Sequence, residues 1–249
     1  MDIIQVITRE LKVEKWQVEA AVKLIDEGCT IPFISRYRKE ATGSLNDEQL
    51  RTLHERLTYL RNLEDKKNQV LGSIEEQGKL TPELKKQILD AQTLVVVEDL
   101  YRPYRPKRRT RAIIAKEKGL EPLANIIMLQ MTNKSLEEEA KAFLSEEKGV
   151  ETIEDAINGA KDIIAEHISD EADYRIYLRK LTMDKGTVVS AAKNPEESSV
   201  YEMYYEFEEP IKKLAGHRVL ALNRGEKEKI LTVTISAPED EAMGWLQKQ

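Results

Sequence analysis

Cysteine is almost missing from this chain. Cys29 stands alone among 249 residues, which excludes an intrachain disulfide and a thiolate metal cluster and suits a reducing compartment. Aromatic residues make up only 6%, and there are just 11 glycines and 8 prolines, too few turn and strand formers for a sandwich or barrel. The composition therefore predicts a mainly helical protein. No apolar run approaches the ~20 residues that cross a bilayer, and the opening Met1-Asp2-Ile3-Ile4-Gln5 has no basic stretch leading into an apolar one. The expectation is a cytoplasmic chain with no membrane partner. Positive charge is also scarce: 39 Lys and Arg face 45 Asp and Glu, for a net charge of −6. Such a chain does not coat nucleic acid by bulk charge, so any binding of phosphate must be local.

Against that background one segment stands out. Between Asp99 and Glu117, the run Leu100-Tyr101-Arg102-Pro103-Tyr104-Arg105-Pro106-Lys107-Arg108-Arg109-Thr110-Arg111 holds six cations and no acid. A net charge of −6 that includes this +6 leaves −12 on the remainder, so the cationic character is concentrated. Two prolines interrupt any helix here and predict an extended loop. Arg102, Arg105, Lys107, Arg108, Arg109 and Arg111 offer charge-assisted contacts to phosphate. Tyr101 and Tyr104 offer rings on which bases stack, a combination suited to single strands or RNA. The same residues also suit internal ion pairs, because Glu98, Asp99, Glu117 and Glu121 lie close in sequence, or an acidic protein surface. A smaller basic element, Arg36, Arg38 and Lys39, admits nucleic-acid contact too. There, Glu40 and the preceding acids favour neutralisation.

Catalytic and metal-binding patterns fail on inspection. His54-Glu55 begins a zinc-protease pair, but position 58 is Thr where the second histidine belongs. Gly72 and Gly78-Lys79 imitate a phosphate loop, yet five residues separate the glycines and Leu80 replaces the magnesium-binding hydroxyl. His167 and His217 have no neighbouring ligands, and Glu75-Glu76 and Glu208-Glu209 sit among other charges, where solvation is the ordinary fate. No catalytic residue, metal site, cofactor or small-molecule substrate is expected, and the chain does not read as an enzyme.

Helical periodicity organises most of the sequence. Ile3, Ile4, Val6 and Ile7, then Val18, Val22 and Ile25, predict a helical hairpin stopped at Gly28. Asn46 caps a stripe of Leu50, Leu53, Leu57, Leu60, Leu63, Val70, Leu71 and Ile74 that lasts to Gly78, predicting a spine helix of about 30 residues, with the heptad lapsing at Glu64 and Lys67. Thr81-Pro82 starts another helix. Ser135 with Glu138 and Thr152 with Asp155 are capping boxes for two more. After Gly186 the pattern changes. Residues 187–190 read as a strand, and residues 218–222 with 230–235 read as a β-hairpin. The fold class expected is thus mainly α, a multi-helix domain with a helix-turn-helix-like unit and a small β-hairpin near the C-terminus.

Four longer motifs carry a resemblance. They are Ile31-Pro32-Phe33-Ile34-Ser35-Arg36-Tyr37-Arg38-Lys39-Glu40-Ala41-Thr42-Gly43, the run Glu75-Glu76-Gln77-Gly78-Lys79-Leu80-Thr81-Pro82-Glu83-Leu84, Glu98-Asp99-Leu100-Tyr101, and residues 217–228. Together, and in this order, they resemble the N-terminal region of the bacterial Tex family. The resemblance implies a cytoplasmic transcription accessory factor that binds nucleic acid, RNA more than DNA, or that docks on RNA polymerase or other transcription machinery. It implies a discontinuous helical domain at 1–45 plus 112–185 and a helix-turn-helix-like unit with a basic loop at 46–111. A mixed α/β segment at 186–249 then leads toward a nuclease-like domain. The family's nuclease-like, helix-hairpin-helix and OB-type RNA-binding modules have no room here, so the chain reads as a fragment or truncated form. The alternative is a protein–protein scaffold in which the basic segment is structural.

Overall fold

The computed structural model describes residues 2–249. The chain divides into two compact units, Met1–Tyr104 and Arg105–Gln249.

The first unit is built on one long helix. It contains α1 (Ile3–Leu11), α2 (Lys15–Asp26), α3 (Ile31–Tyr37), α4 (Asp47–Glu76), α5 (Pro82–Asp90) and α6 (Leu94–Tyr101). Asn46 starts α4 as a reciprocal cap: its Oδ1 accepts the Gln49 N–H at 2.8 Å while Gln49 Oε1 accepts the Asn46 N–H at 3.0 Å. Its 30 residues span about 45 Å at the ordinary helical rise. Leu50, Leu53, Leu57, Leu60, Leu63, Val70 and Ile74 are buried along it, joined in one core by Ile7, Val18, Ile34, Ile88 and Val97. Residues from both sides of position 45 therefore share a single core. Lys67 belongs to this stripe as well, only 1% exposed. Its Nζ donates to the Leu89 carbonyl at 2.8 Å and lies 3.2 Å from Glu64 Oε1. The lapse in the heptad is thus filled by a cation whose hydrogen bonds meet the terminus of α5, which is the condition for burying it. Two bidentate pairs, Arg56 with Glu10 and Arg61 with Asp26, tie α4 to α1 and α2.

The second unit has two smaller cores. Helices α7 (Arg111–Glu117), α8 (Glu121–Leu129), α9 (Leu136–Lys141) and α10 (Ile153–Asp170) enclose Ala112, Ala115, Leu120, Leu123, Ala156, Ala160 and Ile163. Helix α11 (Ala172–Lys185) then leads into β1 (Thr187–Ala192), β2 (Glu206–Pro210), α12 (Gly216–Lys227), β3 (Leu231–Ser236) and α13 (Glu239–Leu246). The strands form an antiparallel sheet in the order β2-β1-β3, with Ser190 opposite Phe207 on one side and Val233 on the other. Val188, Tyr201, Tyr204, Leu222 and Leu231 make the second core.

The mainly helical class and the β structure near the C-terminus are as expected; the pairing of the sheet differs. Residues 218–222 lie in α12, and β3 pairs with β1 instead. The reason is packing: Gly225 lets α12 approach β3 so closely that a Cβ there would sit 2.6 Å from Leu231 Cδ1. The valines of α6 are helical for a similar reason, with Val97 fully buried against α4. No helix among the described residues is long and apolar enough to cross a membrane.

Candidate nucleic-acid interface

The basic segment begins where α6 ends. A single 3-10 turn, Arg102–Tyr104, follows the helix, consistent with the two prolines that prevent its continuation. The tyrosines are not free platforms. Tyr101 shares a hydrogen bond with Ser73 Oγ at 3.0 Å and lies under Lys66 Nζ, 5.8 Å from its ring centre. Tyr104 is partly buried against the first core, and its carbonyl accepts from Gln77 Nε2 at 2.9 Å. Arg102 is exposed and makes an interaction within the protein.

In the second unit the remaining cations separate into two kinds. Lys107 is half-buried and paired with both Asp170 and Glu166, the latter at 3.3 Å. Thr110 joins this cluster, donating its hydroxyl to Glu166 Oε2 at 2.8 Å while accepting the Ile113 N–H as the cap of α7. The result is a stitch between the segment and the last turns of α10. Arg109 pairs with Glu117 at 2.8 Å with both groups in solvent, and Arg111 reaches Asp162 at 3.5 Å. Arg105 and Arg108 are exposed and have no partner among the described residues.

A cavity of about 210 Å³ lies beside Arg111, between α7 and α10. Its charges cancel: Arg111 and Lys118 face Asp155 and Asp162. Lys118 Nζ already donates to the Gly149 carbonyl at 2.7 Å. Hydrogen bonds from the Thr152 hydroxyl and then its backbone hold the Asp155 carboxyl below the usual range. This balance gives the cavity no preference for an anion. No group of three or more His, Cys, Asp or Glu placed to hold a metal ion occurs among the described residues.

The smaller basic element sits in the first unit at the end of α3. Arg36 and Lys39 are exposed with no partner among the described residues, and Arg38 stacks its guanidinium over Phe33, 5.2 Å from the ring centre. Phe33 and Tyr37 were not singled out from the sequence. Their i,i+4 spacing beside three cations is the signal that could have found them.

Two family models match the chain: the Tex-like protein N-terminal domain over residues 1–75 and the Tex central region over residues 132–248. The smaller basic element falls inside the first interval, while residues 102–111 fall in neither. Among relatives, an uncharacterised Bacillus subtilis protein, YdcI, is 50% identical over 98% of this chain and 34% of its own length. The transcriptional accessory protein Tex of Neisseria gonorrhoeae is 40% identical over 97% of this chain and 32% of its own. A human S1 RNA-binding domain-containing protein is 29% identical over 98% and 25%. The chain spans about a third of the length of the bacterial relatives it matches. With two models of one family aligned in order along most of its length, the chain belongs to the Tex family and corresponds to the N-terminal part of those proteins.

Proposed function

We propose that this chain is the N-terminal module of a Tex-like transcription accessory protein and contributes to nucleic-acid binding, RNA more than DNA, through a local basic surface. The observation that carries the reading is the pair Arg105 and Arg108. Both are exposed and unneutralised in an otherwise acidic chain, on a segment held in place by Lys107. A fixed loop presenting guanidinium groups loses little entropy when it meets phosphate. The names of the relatives, a transcriptional accessory protein and an S1 RNA-binding domain protein, support the same direction. The module acts by binding, with no catalysis of its own, in the cytoplasm.

The test is fluorescence anisotropy with labelled single-stranded RNA across a salt series. Arg105→Glu with Arg108→Glu should weaken binding and reduce the log-log salt slope by about 1.4, two single-strand phosphate contacts at about 0.7 each. Unchanged affinity and slope in a folded variant would sink the reading. Matched DNA measures the preference for RNA. The ion pairs of Lys107, Arg109 and Arg111 favour a second reading, in which the segment is structural and the module docks on RNA polymerase or other transcription machinery. That reading predicts capture of the polymerase that survives nuclease treatment.

A further inference from the structure

Residues 31–44 form a second surface that the proposal above does not use. Ile34 is fully buried, anchoring α3 to the first core. One helical turn apart, Phe33 and Tyr37 stand together with ring centroids 5.4 Å apart and planes inclined at 45°. Tyr37 is 67% exposed, Phe33 is 38% exposed, and the Tyr37 hydroxyl makes no hydrogen bond among the described residues. Arg38 covers Phe33, and its Nη1 donates to the Tyr37 carbonyl at 3.3 Å. Neither Arg36, Arg38 nor Lys39 makes an ion pair among the described residues. Glu40, the acid of the run, makes none either.

The turn behind these side chains is held at several points. Thr42 is fully buried, and both its N–H and its hydroxyl donate to the Arg38 carbonyl at 3.1 Å. The Ser44 N–H donates to the Lys39 carbonyl at 2.7 Å, and Gln17 Nε2 donates to the Gly43 carbonyl at 2.9 Å. Gly43 has φ +59°, and a Cβ there would lie 2.5 Å from Trp16 Cη2 and 2.5 Å from Gln17 Nε2. An exposed tyrosine by itself is unremarkable on a protein surface. Here, a tilted aromatic pair and three unneutralised cations share seven residues of an acidic chain, on a backbone held by these hydrogen bonds.

We infer that α3 and the turn after it form a stacking platform for single-stranded nucleic acid. Tyr37, backed by Phe33, takes the face of an unpaired base, and Arg36, Arg38 and Lys39 take the flanking phosphates. A duplex keeps its base faces inside the stack, so this arrangement selects single strands. The inference rests on the nucleic-acid reading and adds to it a site, a strand state and a mode of contact.

The experiment uses the full chain with a labelled oligouridylate of about 12 nucleotides, within the usual site size for single-strand binders, and an RNA duplex of equal length. Tyr37→Ala should weaken single-strand binding about fivefold or more while leaving the salt slope unchanged, since stacking releases no counterions. Tyr37→Phe should restore the affinity. 5-Bromouridine in the oligonucleotide should photocrosslink to Tyr37 or Phe33. If Tyr37→Ala binds as the parent does while Arg105→Glu with Arg108→Glu weakens binding, the platform is wrong and the broader reading stands. Equal weakening toward single strand and duplex also overturns the platform. If the parent binds no oligonucleotide, both fail.

Discussion

The two basic segments reverse the order that their charge counts suggest. Residues 102–111 hold six cations, but Lys107, Arg109 and Arg111 are spent on Asp170, Glu166, Glu117 and Asp162. Residues 36–39 hold three, and none of them makes an ion pair among the described residues. The difference lies in what the fold brings alongside. The longer segment runs beside α7 and α10, whose acids are spaced to meet it. The shorter one lies at the end of α3, where even Glu40, the acid of the run, forms no ion pair with it among the described residues. Charge density along a chain therefore does not measure charge available to a partner. Ion pairing in the fold decides that.

Three substitutions would break or sharpen this comparison. The largest effect is expected from Gly43→Ala. The left-handed backbone costs a side chain about 1–2 kcal/mol, and the contact with Trp16 adds to it. Urea unfolding should show a loss of about 2–3 kcal/mol, and a loss under about 0.5 kcal/mol would mean that the turn is not held as described. Next is Lys107→Met, which leaves Glu166 and Asp170 facing each other without their cation. A loss of about 2 kcal/mol is expected, below that of a fully buried pair because Lys107 keeps some exposure. A neutral result would class Lys107 with Arg105 and Arg108 and remove the anchored loop. The smallest is Arg109→Ala, whose pair with Glu117 is mostly in solvent. Stability should change by no more than about 0.5 kcal/mol, so thermal melts of parent and variant should nearly superimpose.

Much of the helical architecture was legible because its signals are local. The start of α4 follows from Asn46, its length from an apolar stripe that resumes after Glu64 and Lys67, and the start of α5 from Thr81 with Pro82. Misreadings cluster where a local signal meets a distant partner. Lys67 breaks the stripe on paper and completes it in space, because the carbonyl that accepts its hydrogen bond belongs to Leu89 on another helix. Residues 218–222 carry strand-like composition, yet Gly225 and Leu231 draw them into a helix over β3. For the candidate site, the sequence located both basic segments, but it could not tell Arg108 from Arg109, which differ only in whether Glu117 is within reach. It also set Tyr101 and Tyr104 forward as stacking rings, whereas both pack against the first core and the exposed rings of that unit are Phe33 and Tyr37 of α3 and Trp16 of α2.

By itself the sequence determined the helical class, the long spine, the family and the places where positive charge is dense. Those follow from periodicity, capping chemistry and motif order, all properties of neighbours along the chain. Which cations remain free, which aromatic rings face solvent and which strand β3 joins were decided by tertiary structure alone. Each of these depends on a carboxylate, a carbonyl or a close approach supplied from far along the chain, and free energy at such contacts turns on a few ångströms of separation.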